Sequence, residues 1–258
     1  MEKKKVLITG ASGLIGGLTI AGLSDKYDFS GLSRRNVEGI PHLQADVADA
    51  EAIKPAFVRI DTVLHLAAAN DEDQANDWNV TMAVTAQGTL NVYEAARLAN
   101  VKRVIHMSSG CAQLAYEWDD DLPYGRLANG PDDEIPSSWR MIELSDPVRP
   151  DSPYAVGKIF GETLGRYYTD KYGISTIAIR LGAVLPEDRP QIRHHYPGFL
   201  SQADCVQMID KCIDAPDDLK FEIFNAISEN KYRWRSIEHT KKVLGWQPSG
   251  RSENYPLP

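Results

Sequence analysis

A tyrosine and a lysine four residues apart carry the clearest chemistry in this sequence. Tyr154 and Lys158 stand in the stretch Asp151-Ser-Pro-Tyr-Ala-Val-Gly-Lys158, and on a helix this spacing places both side chains on one face, one turn apart. A phenol has a pKa near ~10, and a neighbouring ammonium lowers that pKa because it favours the phenolate. The pair therefore predicts a proton-transfer device. Because the bare spacing also arises by chance, a surface helix with an unrelated tyrosine and lysine is the alternative.

The helix that must hold this pair has recognisable ends. Ser152 is a good N-cap residue and Pro153 suits the first turn, so the helix is predicted to begin there. Gly173 is predicted to end it near Tyr172. Residues 174–181 are apolar and β-branched and predict a buried strand.

A glycine-rich stretch near the N-terminus predicts a dinucleotide site. Residues 5–10 read as a buried strand, and apolar residues at helical spacing follow the glycines. In this context Gly10 permits a tight turn, Gly13 lets a pyrophosphate approach the backbone, and Gly16 lets the helix pack on the strand. The helix N-terminus would hold the phosphates. The other residues of this stretch that are predicted to contact the cofactor are Ser12, Leu14 and Ile15. A glycine turn without a ligand is the alternative.

The end of the second predicted strand indicates which nicotinamide cofactor binds. An acidic residue there would bind the ribose diol of NAD, whereas an arginine can bind the 2′-phosphate of NADP. The strand ends in Ser33, Arg34 and Arg35, and no carboxylate follows until Glu38. This pattern favours NADP, with NAD still possible. A solvated basic turn is the alternative.

Composition limits the class of protein. The 258 residues are 43% hydrophobic and 25% charged, which is typical of a globular protein. A net charge of −8 argues against nucleic acid and anionic membrane surfaces as partners. Three scattered cysteines indicate reduced thiols in a cytoplasmic protein. His194 and His195 have no cysteine or carboxylate at ligand spacing, so they are interpreted as a surface pair and no metal is expected.

Strand and helix patterns alternate along the chain. This alternation predicts an α/β fold with a doubly wound parallel Rossmann sheet and a small C-terminal substrate cap. The expected organisation is a single domain over 1–258, with a cofactor-binding core at about 1–180 and a substrate-binding part at about 181–258 interleaved with it. Strands are predicted at 5–10, 28–33, 61–66, 101–107, 174–181 and 221–225, and helices at 50–57, 77–100, 154–172, 201–215 and 236–244.

The segment from Leu114 to Pro150 shows no clear periodicity. It contains Trp118, Tyr124 and Trp139 together with an aspartate run and several prolines. A long loop inside a domain is usually a lid, a binding loop or a disordered segment. The aromatic residues favour a partly ordered pocket cover, and a solvated insertion is the alternative.

Taken together, the motifs resemble the extended short-chain dehydrogenase/reductases, the NAD-dependent epimerase/dehydratase family. The resemblance covers nearly the whole chain and rests on Thr9-Gly10-Ala-Ser-Gly13-Leu-Ile-Gly16, Asp46-Val47, His65-Leu-Ala-Ala, Ser108-Ser109, Tyr154-Ala-Val-Gly-Lys158 and Arg180-Leu-Gly. It implies that Ser109 hydrogen-bonds the substrate oxygen, that Tyr154 is the acid/base, and that Lys158 holds the nicotinamide ribose. It also implies that the cofactor is flanked by Asp46, Val47, Leu66, Ala67 and Ala68. A homodimer through the long helices is the habit of the family.

Within this family the chain is most similar to uronate dehydrogenases, which oxidise hexuronic acids to lactones. The resemblance implies a substrate-binding set of Asn70, Ser109, Gly110, Cys111, Ala183 and Arg193. Gly110 and Cys111 replace an Asn and a His of those enzymes, and Ala183 replaces their substrate-binding Ser. Thr85 replaces the helix asparagine of the family. Those enzymes prefer NAD.

The resulting prediction is an NAD(P)-dependent oxidoreductase of the extended short-chain type. It moves hydride between nicotinamide and a sugar, a sugar acid or another small carbonyl or hydroxyl compound, with Tyr154 moving the proton. Two alternatives remain at this stage. One is a sugar-nucleotide epimerase or dehydratase with tightly bound NAD, and the other is a regulator that senses NADP without turnover.

Overall fold

Seven strands of the chain join one sheet in the order β3-β2-β1-β4-β5-β6-β7. The computed structural model describes residues 2–69 and 72–256, apart from the side chains of residues 72, 73 and 132. The strands are β1 (Lys5–Thr9), β2 (Asp28–Ser33), β3 (His42–Gln44), β4 (Thr62–His65), β5 (Arg103–Ser109), β6 (Ser175–Leu181) and β7 (Phe221–Ala226). The order reverses direction at β1, which is the topological switch point of a doubly wound sheet.

The strands run parallel. Pairing is parallel from β3 through β2, β1 and β4 to β5. In the last pair, the Thr176 N–H donates to the Lys220 carbonyl and the Gly182 N–H to the Ala226 carbonyl, each over 2.8 Å, so β6 and β7 also run in the same direction. The predicted doubly wound Rossmann sheet is confirmed.

The helices predicted from the periodicity are present, although two of them change type along their length and the short helices at 72–75 and 124–129 were not predicted. The helices are α1 (Leu14–Leu23), α2 (Ala50–Ile53), α3 (Glu72–Ala75), α4 (Trp78–Val80), α5 (Gly88–Leu98), α6 (Tyr124–Asn129), α7 (Pro153–Tyr172), α8 (Gln202–Ile213) and α9 (Glu238–Leu244). The helix predicted over 77–100 is instead three segments, because a π-helical stretch, Thr81–Gln87, separates α4 from α5. Wide turns of this kind are rare and frequently occur at functional sites.

The chain divides into two compact units. The first contains the described residues of Met1–Ser108, Ser152–Ile179 and Cys212–Ile223, and the second those of Ser109–Asp151, Arg180–Lys211 and Phe224–Pro258. The first unit therefore holds the glycine loop and the Tyr154 helix. Its hydrophobic core includes Leu7, Leu32, Val63, Val92 and Val104, all fully buried.

The second unit has an apolar core of its own. Residues of the insertion, Tyr116, Tyr124 and Ile142, pack around the buried Trp234. The Trp139 indole N–H donates to the Arg233 carbonyl. The insertion is thus a folded part of this unit, and the interpretation as a solvated loop is wrong, although Trp118 is exposed.

Candidate cofactor and catalytic sites

The glycine loop between β1 and α1 has the geometry that a pyrophosphate requires. Gly10 adopts a φ of +73°, and a Cβ there would lie 2.8 Å from the Ala67 backbone nitrogen. A Cβ on Gly16 would lie 2.5 Å from the Ala11 carbonyl oxygen, so α1 can pack on the loop only with glycine at this position. Gly13 caps the helix and is exposed. This exposed helix N-terminus beside a glycine-rich loop fits a dinucleotide pyrophosphate.

The end of β2 differs in one respect from the sequence prediction. Ser33 is buried, and its hydroxyl donates to the Arg35 carbonyl over 2.7 Å while Nε2 of His42 lies 3.0 Å away. Ser33 is one of the residues that the sequence places at the cofactor, whereas here its proton is used within the turn. Arg34 and Arg35 are exposed and remain the candidate phosphate ligands, with His42 beside them as a residue that the sequence did not indicate.

Two further segments line the cofactor region of the first unit. The buried Asn91 donates from Nδ2 to the carbonyls of Val47 and Ala48, which fixes the turn that begins at Asp46. Leu66, Ala67 and Ala68 follow β4 and are partly exposed. Asn70, predicted to bind substrate, lies outside the described residues.

The helix α7 presents Tyr154 and Lys158 as their spacing predicts. The Ser152 hydroxyl accepts from the Ala155 N–H, Pro153 occupies the first turn, and Gly173 ends the helix in the left-handed conformation. Nζ of Lys158 lies 5.5 Å from the centroid of the Tyr154 ring. The predicted helix and the proximity of the pair are confirmed.

Gly157 and Thr85 allow α7 to pack closely on the π-helical stretch. A Cβ on Gly157 would lie 2.9 Å from the Thr85 methyl carbon and 3.0 Å from that of Thr81. The Thr85 hydroxyl accepts from the Ala69 N–H. Thr85, which replaces the family's asparagine, is therefore held between the segment that follows β4 and the helix α7.

Lys158 is buried beside two imidazoles. Nε2 of His106 lies 3.1 Å from the Lys158 carbonyl oxygen. The centroid of the His106 ring is 5.7 Å from the centroid of the His65 ring. Burial lowers the pKa of Lys158 to about 7. Burial and the charge of Lys158 lower the pKa of His106 to about 3. Both imidazoles are therefore neutral at neutral pH, and Lys158 carries the ionisable charge of this cluster.

The two adjacent serines at the end of β5 have different surroundings. The Ser108 hydroxyl donates to the buried carboxylate of Glu162 over 2.6 Å, so this serine belongs to the interior of the first unit. Ser109 begins the second unit, and its hydroxyl oxygen accepts from the Cys111 N–H over 3.1 Å. The Ser109 side chain also interacts with the Cys111 side chain, so both of these contacts of its hydroxyl are with Cys111.

A buried carboxylate in the second unit was not expected from the sequence. The Glu117 side chain is 6% exposed and accepts from the Trp234 indole over 3.1 Å and from Nε2 of His194 over 2.8 Å. The hydrogen bond to Glu117 raises the pKa of His194. His194 is still partly exposed, as expected for a surface pair, and its hydrogen bond to Glu117 was not foreseen. Among the residues that the structure describes, no cluster of three or more metal-ligating side chains occurs.

Arg235 lies directly against Gly110. The arginine is 5% exposed, and a Cβ on Gly110 would overlap its guanidinium. Cys111, Glu117, Asp151 and Arg180 are close enough to interact electrostatically with Arg235. Glu117 and Arg235 come from segments more than 100 positions apart in the sequence, which is why no motif indicated them.

The other predicted substrate residues also belong to the second unit. The Ala183 N–H donates to the Gly198 carbonyl, and its own carbonyl accepts from the Leu200 N–H. Arg193 starts the short 3₁₀ helix Arg193–His195 and is partly exposed. A cavity of about 880 Å³ in the first unit lies at the opposite, amino-terminal end of the sheet beside Lys5 and Asp61, away from the glycine loop.

Comparison with known proteins identifies the family. The model of the NAD dependent epimerase/dehydratase family matches residues 6–214. The chain belongs to this family. It is 32% identical to the L-arabinose 1-dehydrogenase (NAD(P)(+)) of Haloferax volcanii, covering 96% of this chain and 97% of that protein. It is 30% identical to the NAD-dependent glucose-6-phosphate dehydrogenase of the same organism, covering 97% and 95%.

Among solved structures, the protein resembles uronate dehydrogenase from Agrobacterium tumefaciens. The TM-score is 0.83 at 26% identity, covering 100% of this chain and 92% of that one. The family and the oxidoreductase class predicted from the motifs are confirmed: the protein is an NAD(P)-dependent oxidoreductase. Within the described ranges 2–69 and 72–256, no helix has the length and apolar character needed to cross a membrane.

Proposed function

We propose that this epimerase/dehydratase family member is an NADP-preferring dehydrogenase of a sugar or sugar acid. The environment of Tyr154 and Lys158 carries the proposal. The same helix holds a second pair at the same spacing, Tyr167 and Lys171, which is exposed on the surface. Only the first pair combines a buried lysine with packing against Thr85 and His106. The named relatives, which act on arabinose, glucose 6-phosphate and uronate, support a sugar-type substrate.

The proposed chemistry assigns one role to each residue. A nicotinamide cofactor held by the glycine loop would supply the hydride-accepting chemistry for the carbinol carbon. Tyr154 accepts the hydroxyl proton, and the positive charge of Lys158 stabilises the phenolate that this requires. Ser109 donates a hydrogen bond to the same substrate oxygen, which stabilises the negative charge that develops there.

Replacing Tyr154 with phenylalanine tests the proposed function. We expect Tyr154→Phe to lower kcat by about 100-fold or more, the usual scale for a positioned acid or base, with little change in cofactor affinity. Tyr167→Phe is the matched control, because it removes the hydroxyl of the exposed pair on the same helix. A Tyr154→Phe enzyme that turns over sugars at the wild-type rate would rule out Tyr154 as the acid/base.

The cofactor preference rests on the two exposed arginines after β2. Arg34 and Arg35 offer charge-assisted hydrogen bonds to a 2′-phosphate, and no carboxylate repels that phosphate before Glu38. A bond of this kind contributes roughly 1.5–3 kcal/mol, which is about a tenfold or larger difference in affinity. We therefore propose that NADP(H) binds at least about tenfold more tightly than NAD(H).

Titration of both cofactors into Arg34→Ala checks this preference. The variant should bind NADPH about tenfold more weakly and NADH with unchanged affinity. Arg189→Ala, which removes an exposed arginine of the second unit, serves as the control. Equal affinities of the wild-type protein for NADH and NADPH would contradict the preference and leave the dehydrogenase function standing.

A further inference from the structure

A buried arginine in the second unit has an unused hydrogen-bond donor. Nη1 of Arg235 is fully buried and has no hydrogen-bond partner within the described part of the chain. The whole residue is 5% exposed. A guanidinium has five N–H donors, and a charged donor that is removed from water without an acceptor destabilises the folded state. An unsatisfied buried donor in a native structure calls for an explanation, and a bound ligand is one.

The neighbouring carboxylate does not satisfy this donor. Both oxygens of Glu117 accept from other groups, Oε1 from Trp234 and Oε2 from His194. The guanidinium carbon of Arg235 lies 4.9 Å over the Trp234 ring. Arg235 is thus held in place by stacking, and its Nη1 remains directed at the backbone of Gly110.

Gly110 determines where the donor lies. Because a Cβ at this position would overlap the guanidinium, only glycine leaves room for Arg235 beside the chain that carries Ser109. Ser109 is the adjacent residue, and its hydroxyl oxygen accepts from the Cys111 N–H. The Arg235 donor therefore lies beside Gly110, which is adjacent in sequence to Ser109, the residue proposed to bind the reacting oxygen.

The charges around this position favour an anionic ligand. Arg180 and Arg235 are both buried, and His194 has a raised pKa beside Glu117. The carboxylates that interact with Arg235 are Glu117 and Asp151. The two buried guanidiniums thus share two carboxylates, and both oxygens of Glu117 already accept hydrogen bonds from Trp234 and His194.

We propose that Arg235 binds the negatively charged group of an anionic sugar, a carboxylate or a phosphate, and so determines the substrate class. This inference rests on the proposed dehydrogenase function and refines it. A carboxylate and a phosphate both offer the acceptor geometry that a guanidinium fork matches. Neutral aldoses lack that group and are expected to bind more weakly.

Binding measurements test this inference independently of turnover. Isothermal titration of the NADPH complex with D-galacturonate, D-glucose 6-phosphate, D-galactose and D-glucose compares each anion with its neutral counterpart. We expect at least one anionic sugar to bind about tenfold or more tightly than its neutral counterpart. A preference for galacturonate would identify a carboxylate site, and a preference for glucose 6-phosphate a phosphate site.

Three variants test the residue itself. Arg235→Gln should abolish the preference for the anionic sugar, Arg235→Lys should restore part of it, and Gly110→Ala should weaken it because the added methyl displaces the guanidinium. Arg251→Gln, which removes an exposed arginine of the same unit, should leave it unchanged. In steady-state assays the loss should appear in KM rather than kcat.

Thermal unfolding of the ligand-free variants distinguishes ligand binding from a structural role. Because Arg235 has an unsatisfied buried donor, Arg235→Met should unfold at the same or a higher temperature than the wild type. A large fall in Tm, or unchanged anion preference in Arg235→Gln, would overturn the inference.

If neutral sugars bind and turn over as well as the anions in the wild type, the inference fails while the dehydrogenase function stands. If no sugar is turned over and the anions still bind through Arg235, the dehydrogenase function fails alone.

Discussion

Lys158 shows how a single buried charge couples chemistry to stability. Its side chain is buried and lies close to the Tyr154 ring, so its charge acts on the phenol through a medium that screens poorly. The same burial lowers the pKa of Lys158 from 10.5 to about 7. Lys158 is therefore the residue placed to stabilise a Tyr154 phenolate, and it is also partly deprotonated at neutral pH in the folded protein.

This shift predicts a specific dependence of stability on pH. Between about pH 7 and 10.5 the unfolded chain binds the lysine proton and the folded chain does not, so the free energy of unfolding rises with pH. The contribution has a slope of at most about 1.4 kcal/mol per pH unit and is constant below pH 7. Relative to the wild type without cofactor, Lys158→Met should gain most stability at and below pH 7, and the gain should shrink toward pH 10.5.

Urea unfolding at pH 6, 7, 8, 9 and 10 measures this difference. Lys242→Met, which removes an exposed lysine of α9, is the control and should show a difference that does not vary with pH. If the gain of Lys158→Met were equally independent of pH, Lys158 would have an ordinary pKa in the folded protein.

Among the elements, the helix α7 shows why small residues accompany the Tyr154–Lys158 pair. Gly157, Gly161 and Gly165 recur at four-residue intervals on the face that packs against the π-helical stretch and the sheet. Each glycine lies where a Cβ would collide with a packed side chain. The backbone of α7 can therefore approach the sheet closely enough to bury Lys158.

Gly161→Ala tests this packing. The added Cβ would overlap the buried His106 ring, which contacts the Lys158 carbonyl. We expect a loss of about 1–3 kcal/mol in the free energy of unfolding and a lower kcat, because α7 must shift. Gly17→Ala on α1 is the matched control, since its Cβ would meet no described atom within 4 Å. Equal effects of the two substitutions on unfolding would contradict the close-packing account.

On the scale of the whole molecule, each unit has its own hydrophobic core, and the first unit also exposes an apolar surface. Val156, Phe160 and Tyr167 are exposed on one side of α7, and Trp78 and Met82 are each 55% exposed on the helical segment before α5. Exposed apolar side chains grouped on long helices are typical of an interface. We therefore expect the protein to form a homodimer through these helices.

Phe160→Lys should dissociate that dimer, because a charged side chain would be buried at the interface. Light scattering after size exclusion at micromolar concentrations measures the mass. Val58→Lys alters an exposed apolar residue elsewhere in the first unit and should leave the dimer intact. A wild-type protein of monomeric mass would refute the expectation.

Local patterns in the sequence determined the cofactor-binding fold. A strand followed by Gly10, Gly13 and Gly16 predicts a dinucleotide turn, because only glycine allows the backbone approach that this turn needs. The spacing of Tyr154 and Lys158 fixes their shared helix face in the same way. These features depend on residues within one or two turns of each other, so they could be inferred from the sequence alone.

The tertiary structure decided everything that depends on residues distant in the sequence. It assigned Ser108 to the interior through Glu162 and placed the Ser109 hydroxyl beside Cys111. It committed the Ser33 hydroxyl to its own turn. It brought Arg235 against Gly110 across more than 100 residues. Burial and electrostatic proximity depend on how distant segments pack, which no local spacing encodes, and they determine which polar groups of this chain remain available for a ligand.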